Sequence, residues 1–167
     1  YTIIIRLPQF GDIPRFDGLA YYNMLTEACR NYDFTFSGFL NGFRMASHPT
    51  QGYMGLLAIG KFLDPSGYTG IMVINLILSV ITSYCVFMIF RKLIKGVSWK
   101  YITAVSVLLT SVPSYLGTFS YLNPDTGLIY FFFMAVYCML YSRYLLMIFS
   151  LLLLALTKET GMLMAAS

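Results

Sequence analysis

The first third of this 167-residue chain contains ionisable side chains that could do acid, base or phosphate chemistry, among them Asp17, Glu27, Arg44 and His48. All four precede an apolar run over residues 68–90 that contains no charged residue. A bilayer crossing needs about 20 apolar residues, so this run predicts a transmembrane helix. Ionisable groups beside such a helix are expected to pair, to bind a ligand or to catalyse.

The composition is that of an integral membrane protein. Hydrophobic residues make up 58% of the chain and charged residues only 11%, and the mean hydropathy is +0.71. A net charge of +4 could suggest a nucleic-acid partner, but the basic residues are scattered and their densest group, RKLIK, directly follows the apolar run. That placement is the positive-inside signature of a membrane protein, so we expect lipid and not nucleic acid as the partner. The three cysteines have no disulfide or metal-ligand spacing.

The alternation of apolar runs and turns predicts an all-α integral membrane fold, a multi-span helical bundle with two interfacial juxtamembrane helices in its first external loop. Because the chain begins at Tyr1 and ends in an apolar segment, we expect one transmembrane domain that is incomplete at both ends. Its predicted parts are the end of a first span (1–5), an external loop (6–67) and four further spans (68–90, 101–122, 127–141 and 144–157).

Both interfacial helices follow from local patterns. Leu19, Tyr22, Leu25 and Ala28 have helical spacing behind a capping Asp17, which predicts a helix over residues 18–32. A second helix is expected after the proline of the HPTQGY segment, because proline suits a helix start. Its 11 to 14 apolar residues, about half a span, predict an interfacial or re-entrant position.

The charge pattern predicts which groups share a face. Arg91, Lys92, Lys95 and Lys100 mark the cytoplasmic end of the span at 68–90, so the loop at 6–67 must face outward. Span counting then brings five ionisable residues to the same external face: Asp17, His48, Asp125, Lys158 and Glu159. Two carboxylates near cations at an apolar boundary have the composition of an acid/base site. The alternative is that each residue only marks a helix end.

In their order and spacing, these segments resemble a known family. FDGLAYY, HPTQGY, NPDTGLIYFFF and LTKETG together resemble the C-type superfamily of polyprenyl-phosphate-sugar-dependent membrane glycosyltransferases, especially its protein O-mannosyltransferase and aminoarabinose transferase branches. The resemblance implies that Asp17 is the acidic residue taken to be catalytic and that Asp125 fills a second acidic position of the family. It also implies that Lys158 and Gly161 belong to the family's LxxLTKxxG turn. One departure is that Gly18 follows Asp17, where many protein O-mannosyltransferases have Asp-Glu.

The resemblance implies transfer of a sugar from a polyprenyl-phosphate donor to an acceptor hydroxyl at the external face of a bacterium or the lumenal face of a eukaryotic membrane. An inverting transfer needs a carboxylate to take the proton of the attacking hydroxyl, and Asp17 is the candidate general base. The other interpretation of Asp17 is an N-cap of the following helix, and the two roles can coexist.

The remaining candidates would bind substrate. His48 and Lys158 could neutralise the lipid phosphate, as could Arg15 and Arg44, for which head-group contact is the alternative. His48 could also be only a helix-start residue.

Asp125 could bind sugar hydroxyls, accept a hydrogen bond from Lys158 or contribute to a metal site. Without a DxD or histidine-rich pattern, a divalent metal is the weakest of these interpretations, and no other cofactor is expected. Glu159 suits an ion pair with its neighbour more than a second base. Tyr21, Tyr22 and Tyr53 could stack on a sugar or a prenyl chain.

Two other functions remain compatible with the sequence. A membrane transporter would also use intramembrane charge and a kinked helix, although residues 68–90 have no charge at mid-bilayer, where transport sites usually lie. A non-catalytic membrane subunit of a larger complex would need none of the ionisable residues to converge.

Overall fold

The computed structural model describes residues 2–6, 17–33, 35–44, 49–65, 67–111 and 122–166. Within these ranges all regular secondary structure is helical, which confirms the predicted all-α fold. The helices are α1 (Thr2–Arg6), α2 (Asp17–Arg30), α3 (Phe36–Gly42), α4 (Gln51–Leu63), α5 (Thr69–Leu93), α6 (Trp99–Thr110), α7 (Pro124–Leu140), α8 (Tyr144–Ala155) and α9 (Glu159–Ala166).

Helix α5 is the longest of the described helices. Its 25 residues correspond to about 37 Å at 1.5 Å per residue, more than the roughly 30 Å thickness of a bilayer's hydrocarbon core. In the described part of the chain it is the one helix both long enough and apolar enough to cross a membrane. Helices α7 and α8 are also apolar but have only 17 and 12 residues. Arg91 and Lys92 lie in the last turn of α5, where positive charge is favoured.

Helix α4 packs against α2, α3, α5, α7 and α8. Small residues allow this. A Cβ atom on Gly60 would lie 2.3 Å from the carbonyl oxygen of Gly70, and one on Gly52 would lie 2.2 Å from that of Leu153. The C-terminal half of α4 therefore touches the start of α5, while its first turn touches the end of α8. Close backbone contact at small residues is typical of helix packing in membranes.

The start of α4 is joined to α3, a short helix that the sequence pattern did not predict. The hydroxyl of Thr50 donates to the carbonyl of Phe43, and Gln51 Nε2 donates to the carbonyl of Leu40 at 2.6 Å. The last carbonyls of a helix have no hydrogen-bond donor within that helix, and these two carbonyls at the end of α3 receive donors from α4 and the residue before it. Thr35 caps the other end of α3 by accepting from the amide of Gly38 at 2.9 Å.

The core lies around α4. Met54 and Leu57 are fully buried, and so is Tyr53, whose hydroxyl donates to Asn75 Oδ1 on α5 at 3.0 Å. The Tyr53 ring also meets the ring of Tyr130 on α7, with centroids 6.2 Å apart in an edge-to-face arrangement. Tyr53 is therefore a core residue that ties α4 to two longer helices, and not an exposed platform for a sugar.

Several helix ends differ from the predicted boundaries. The predicted span at 101–122 contains α6, which begins at Trp99 and ends at Thr110; Ser111 and Leu122 are turn residues, and residues 112–121, with the predicted proline kink, lie outside the described residues. Helix α7 begins at Pro124, three residues before the predicted start of its span. The side chain of Asn123 accepts from the amide of Asp125 at 3.1 Å, so asparagine caps the helix and proline follows at its first position.

Candidate functional site

An ion pair joins two segments that are far apart in the sequence. Lys158 Nζ lies 2.7 Å from Asp125 Oδ1. Asp125 belongs to the first turn of α7, and Lys158 to the three-residue connection between α8 and α9. The lysine side chain is 29% exposed and the aspartate 46%, and pairs this accessible contribute only about 0 to 1 kcal/mol to stability. The pair is therefore better suited to presenting charge to a ligand than to holding the fold together.

The connection that carries Lys158 is held from two sides. The amide of Gly52 donates to the carbonyl of Leu156 at 2.9 Å, and the buried Thr157 hydroxyl donates to the carbonyl of Leu153 at 2.7 Å. On the other side, a Cβ atom on Gly127 would lie 3.0 Å from Thr157 Cγ2. Because backbone and buried groups fix the residues before it, the position of the Lys158 side chain is set by α4 and α7 as well as by its own segment.

Helix α2 adds Tyr21 and Asp17 to this group. Burial raises the pKa of the Tyr21 phenol; the charge of Lys158 lowers that pKa, and the carboxylates of Asp17 and Asp125 raise it. All three charges therefore lie within electrostatic range of one hydroxyl. With a raised pKa, Tyr21 remains a neutral hydrogen-bond donor at physiological pH. We call Asp17, Tyr21, Asp125 and Lys158 the charged group.

Three helices begin at or directly beside residues of the charged group. Helix α2 begins at Asp17, α7 at Pro124 and α9 at Glu159, directly after Lys158, while the first turn of α4 touches the Lys158 segment through Gly52. A helix start carries the positive end of the helix dipole and has amides without partners inside the helix. The Gly52 and Asp125 amides already have partners, since they donate to Leu156 and Asn123, so the feature that favours an anion beside Lys158 is the positive ends of the helix dipoles.

The other predicted site residues are placed differently. His48 and Arg15 lie outside the described residues. Arg44 is exposed just after α3, and Glu159 is exposed at the first position of α9.

Tyr22 points to a different lysine from Tyr21. Its hydroxyl accepts a hydrogen bond from Lys61 Nζ at 3.2 Å, and the same ammonium group lies 4.9 Å from the centre of its ring. Tyr22, a candidate for binding substrate, therefore lies beside Lys61, whereas Tyr21 lies within electrostatic range of Lys158. Adjacent residues on a helix point about 100° apart, so two consecutive tyrosines cannot face the same group.

Sequence reasoning also missed Gly52 and Thr157, the residues that hold Lys158 in place. The small residues Gly52, Gly55 and Gly60 along α4 were the available signal, since glycine in a helix marks a close approach of another backbone.

In the residues that the structure describes, no group of three or more His, Cys, Asp or Glu side chains could hold a metal ion. Asp125, the residue considered for a metal, accepts a hydrogen bond from the ammonium group of Lys158.

Comparison of the chain with protein-family models, with curated proteins and with solved structures found no match.

Proposed function

We propose that this chain belongs to a multi-pass membrane glycosyltransferase, which moves a sugar from a polyprenyl-phosphate donor to an acceptor hydroxyl at the external or lumenal face. The observation that carries the proposal is the ion pair of Lys158 and Asp125, which joins two distant segments at 2.7 Å. The charges of this pair and of Asp17 all influence the pKa of the Tyr21 phenol. This grouping matches what the sequence resemblance implies about an acid and a cation at one membrane face.

The apolar surface supports a membrane setting for the bundle. Helix α8 exposes several large apolar side chains: Leu145 is 85% exposed, and Leu146, Ile148 and Phe149 are each more than half exposed. A water-soluble surface rarely carries so large an apolar patch, whereas a lipid-facing helix requires one.

The chemistry assigns one role to each charged residue. The Asp17 carboxylate takes the proton of the acceptor hydroxyl as its oxygen attacks the anomeric carbon. The bond from that carbon to the phosphate oxygen breaks, and the phosphate keeps the electron pair, so the anomeric centre inverts. Asp17 is the candidate base of the two carboxylates, because it is exposed at the start of α2, whereas Asp125 already accepts a hydrogen bond from Lys158.

Lys158 and the surrounding helix starts would stabilise the departing phosphate. Negative charge grows on the phosphate as the bond to the sugar breaks, so a fixed cation acts more strongly in the transition state than before it. Asp125 would hold the lysine in position, and Tyr21 would donate a hydrogen bond to the donor or the acceptor.

A transporter fits these features less well. Between Thr69 and Phe90, α5 has no Asp, Glu, Lys or Arg, so the long apolar helix offers no charge for an ion or substrate at mid-bilayer. A non-catalytic subunit would have no need for charges from three segments to meet.

The test is sugar transfer by the purified full-length protein from a labelled polyprenyl-phosphate sugar. Asp17→Asn keeps the size and much of the capping ability of the side chain but cannot accept the proton. We expect it to lower the rate by about 10²- to 10⁴-fold, which is the usual contribution of a general base.

Asp33→Asn is the matched control, because Asp33 is an exposed carboxylate just beyond the other end of the same helix and asparagine can still accept from Thr35. Near-normal transfer by Asp17→Asn would leave Asp17 as a helix-start residue and remove it from the mechanism.

A further inference from the structure

Lys61 is a buried cation whose surroundings differ from those of Lys158. It is only 5% exposed, and its ammonium group donates to the Tyr22 hydroxyl at 3.2 Å and to the carbonyl of Gly67 at 3.4 Å. Both acceptors are neutral oxygens. Removing a charge from water is costly unless another charge or several hydrogen bonds compensate it. An ammonium group has three N–H donors, and these described residues accept from two of them.

A cavity lies beside this ammonium group. Its volume is about 230 Å³, and its walls are Thr26, Cys29, Arg30, Lys61, Phe62 and Pro65. Two of these side chains are cations, one from α2 and one from α4. Two acidic residues lie nearby. Glu27 borders a separate adjoining hollow, and the Asp64 carboxylate lies beside Gly67, where a Cβ atom would be 2.2 Å from Asp64 Oδ2. The volume is below the roughly 300 to 1,000 Å³ of pockets for drug-sized ligands, so the cavity suits a small anionic group.

The position of the cavity indicates what else the ligand contains. Lys61 follows Gly60, which touches Gly70 in the first turn of the long apolar helix α5. Beside the cavity, Phe62 is 41% exposed and Leu63 is 76% exposed. A ligand with an anionic head and an apolar chain would meet two cations with its head and these apolar side chains with its tail.

We propose that the cavity between Arg30 and Lys61 binds the phosphate head group of a membrane lipid, at a site separate from the charged group around Lys158. The third N–H of Lys61 and the guanidinium of Arg30 donate to the phosphate oxygens, and the bound phosphate neutralises the buried ammonium. Free phosphate offers the same head-group chemistry, so the test has one arm for each source.

Cys29 is a built-in reporter because it lines the cavity. Burial raises the pKa of its thiol to about 11, and the charge of Lys61 acts in the opposite direction. A bound phosphate would block access to the thiol and cancel the effect of Lys61, so both effects slow alkylation. The rate is measured at mildly alkaline pH with a neutral alkylating reagent and the full-length protein in detergent. Mass spectrometry of the Cys29 peptide quantifies the product, and the buried Cys85 and Cys138 report any unfolding.

One arm adds inorganic phosphate, and the other adds micelles that contain phosphatidic acid. The blank is the same detergent without phosphate or added lipid. At about ten times the Kd of the ligand, alkylation of Cys29 should slow about tenfold, because the empty fraction falls as 1/(1 + [L]/Kd). Protection in both arms means that the phosphate group is sufficient. Protection by the lipid alone means that the acyl chains are required. Protection in neither arm overturns the proposal.

Lys61→Met should abolish the protection, because it removes the ammonium group while keeping an unbranched side chain that is one atom shorter. Arg30→Gln is a second variant that is easier to fold, because Arg30 is exposed, and it should weaken the protection. Arg91→Gln, an exposed arginine in the last turn of α5, is the matched control and should leave protection unchanged. Equal protection in the wild type and in a folded Lys61→Met or Arg30→Gln variant would contradict the proposal. Sugar transfer is not measured, so the result does not depend on the proposed function.

Discussion

The two ends of the bundle both carry lysine, but they hold it differently. At the site end, defined by the charged group, Lys158 is paired with Asp125 at 2.7 Å, and the residues before it are fixed by backbone hydrogen bonds. At the basic end, residues 91–100 are all exposed, and Lys92 Nζ has an aromatic partner, the Tyr141 ring, at 5.4 Å.

The difference separates two uses of positive charge. Exposed cations at a helix end that contact water and aromatic rings suit the membrane interface and determine orientation, and their individual positions matter little. A cation fixed by a carboxylate and by a buried connection has a defined position, which catalysis requires, because a displacement of about 1 Å can cost about 10²-fold in rate.

The largest expected contrast between the ends is topological. A cysteine introduced by Asn31→Cys, at an exposed position just after α2, should react with an impermeant thiol reagent added outside intact cells. A cysteine introduced by Lys95→Cys should react only after permeabilisation, because the basic end is expected to be cytoplasmic. The native Cys29 is unsuitable for this measurement, since burial raises its pKa to about 11. The opposite labelling pattern would overturn the assignment of both ends.

The second contrast concerns the two lysines. Lys158→Met should lower sugar transfer by about 10²- to 10³-fold, the usual loss when one group that stabilises transition-state charge is removed. Lys92→Met should change the rate by no more than about twofold, in keeping with ordinary surface substitutions of about 0.5 kcal/mol. Both variants are assayed with the labelled donor at saturating and limiting concentrations. Equal effects at the two ends would mean that Lys158 has no special role.

The smallest contrast is in stability and compares two glycines. Gly52→Ala should lower the free energy of unfolding by about 1 to 3 kcal/mol, because its Cβ atom would lie 2.2 Å from a backbone carbonyl oxygen and 2.7 Å from Thr157 Oγ1. Gly96→Ala should cost about 1 to 2 kcal/mol through its φ of +77° alone, because a Cβ atom there meets no neighbour within 4 Å.

Transfer activity distinguishes the two glycine variants more clearly than stability does. Gly52→Ala should reduce transfer in the protein that remains folded, since Gly52 positions the Lys158 segment, whereas Gly96→Ala should leave transfer unchanged. Thermal unfolding in detergent and the transfer assay give the two measurements. Full activity in Gly52→Ala would show that the contact between α4 and α8 does not position the lysine.

The sequence predicted those features that depend on local patterns. Three predicted helices are present in the structure: α5 in the long apolar run, α2 after Asp17, and the short helix α4 that ends at Leu63. Helix α3 was missed because its seven residues, FSGFLNG, have too little apolar periodicity, and it is held by Thr50 and Gln51 of the next segment. The predicted start of α7 at residue 127 was three residues too late, because the prediction did not include Asn123 as the cap of the helix.

For the site, the sequence proposed that Asp125 and Lys158 share a face, which spans and turns alone can suggest. The sequence did not show that Tyr21 faces Lys158 while Tyr22 faces Lys61, because that difference depends on how α2 packs against its neighbours. Lys61 was overlooked for a similar reason. A lysine near the end of an apolar helix is usually solvated, and only the packing of α2 and α5 against α4 buries it.

The hydrogen bond from the Gly52 amide to the Leu156 carbonyl couples the start of α4 to the segment that carries Lys158. The backbone contact of α4 with α5 at Gly60 is a natural pivot, and the arm from Gly60 to Gly52 is about 12 Å long at 1.5 Å per residue. A rotation of α4 by only about 5° would therefore move the far end of the arm, and with it the segment of Lys158, by about 1 Å, a displacement large enough to affect catalysis. A tilt of this one short helix would thus move the segment that carries Lys158, without any change in the long helices.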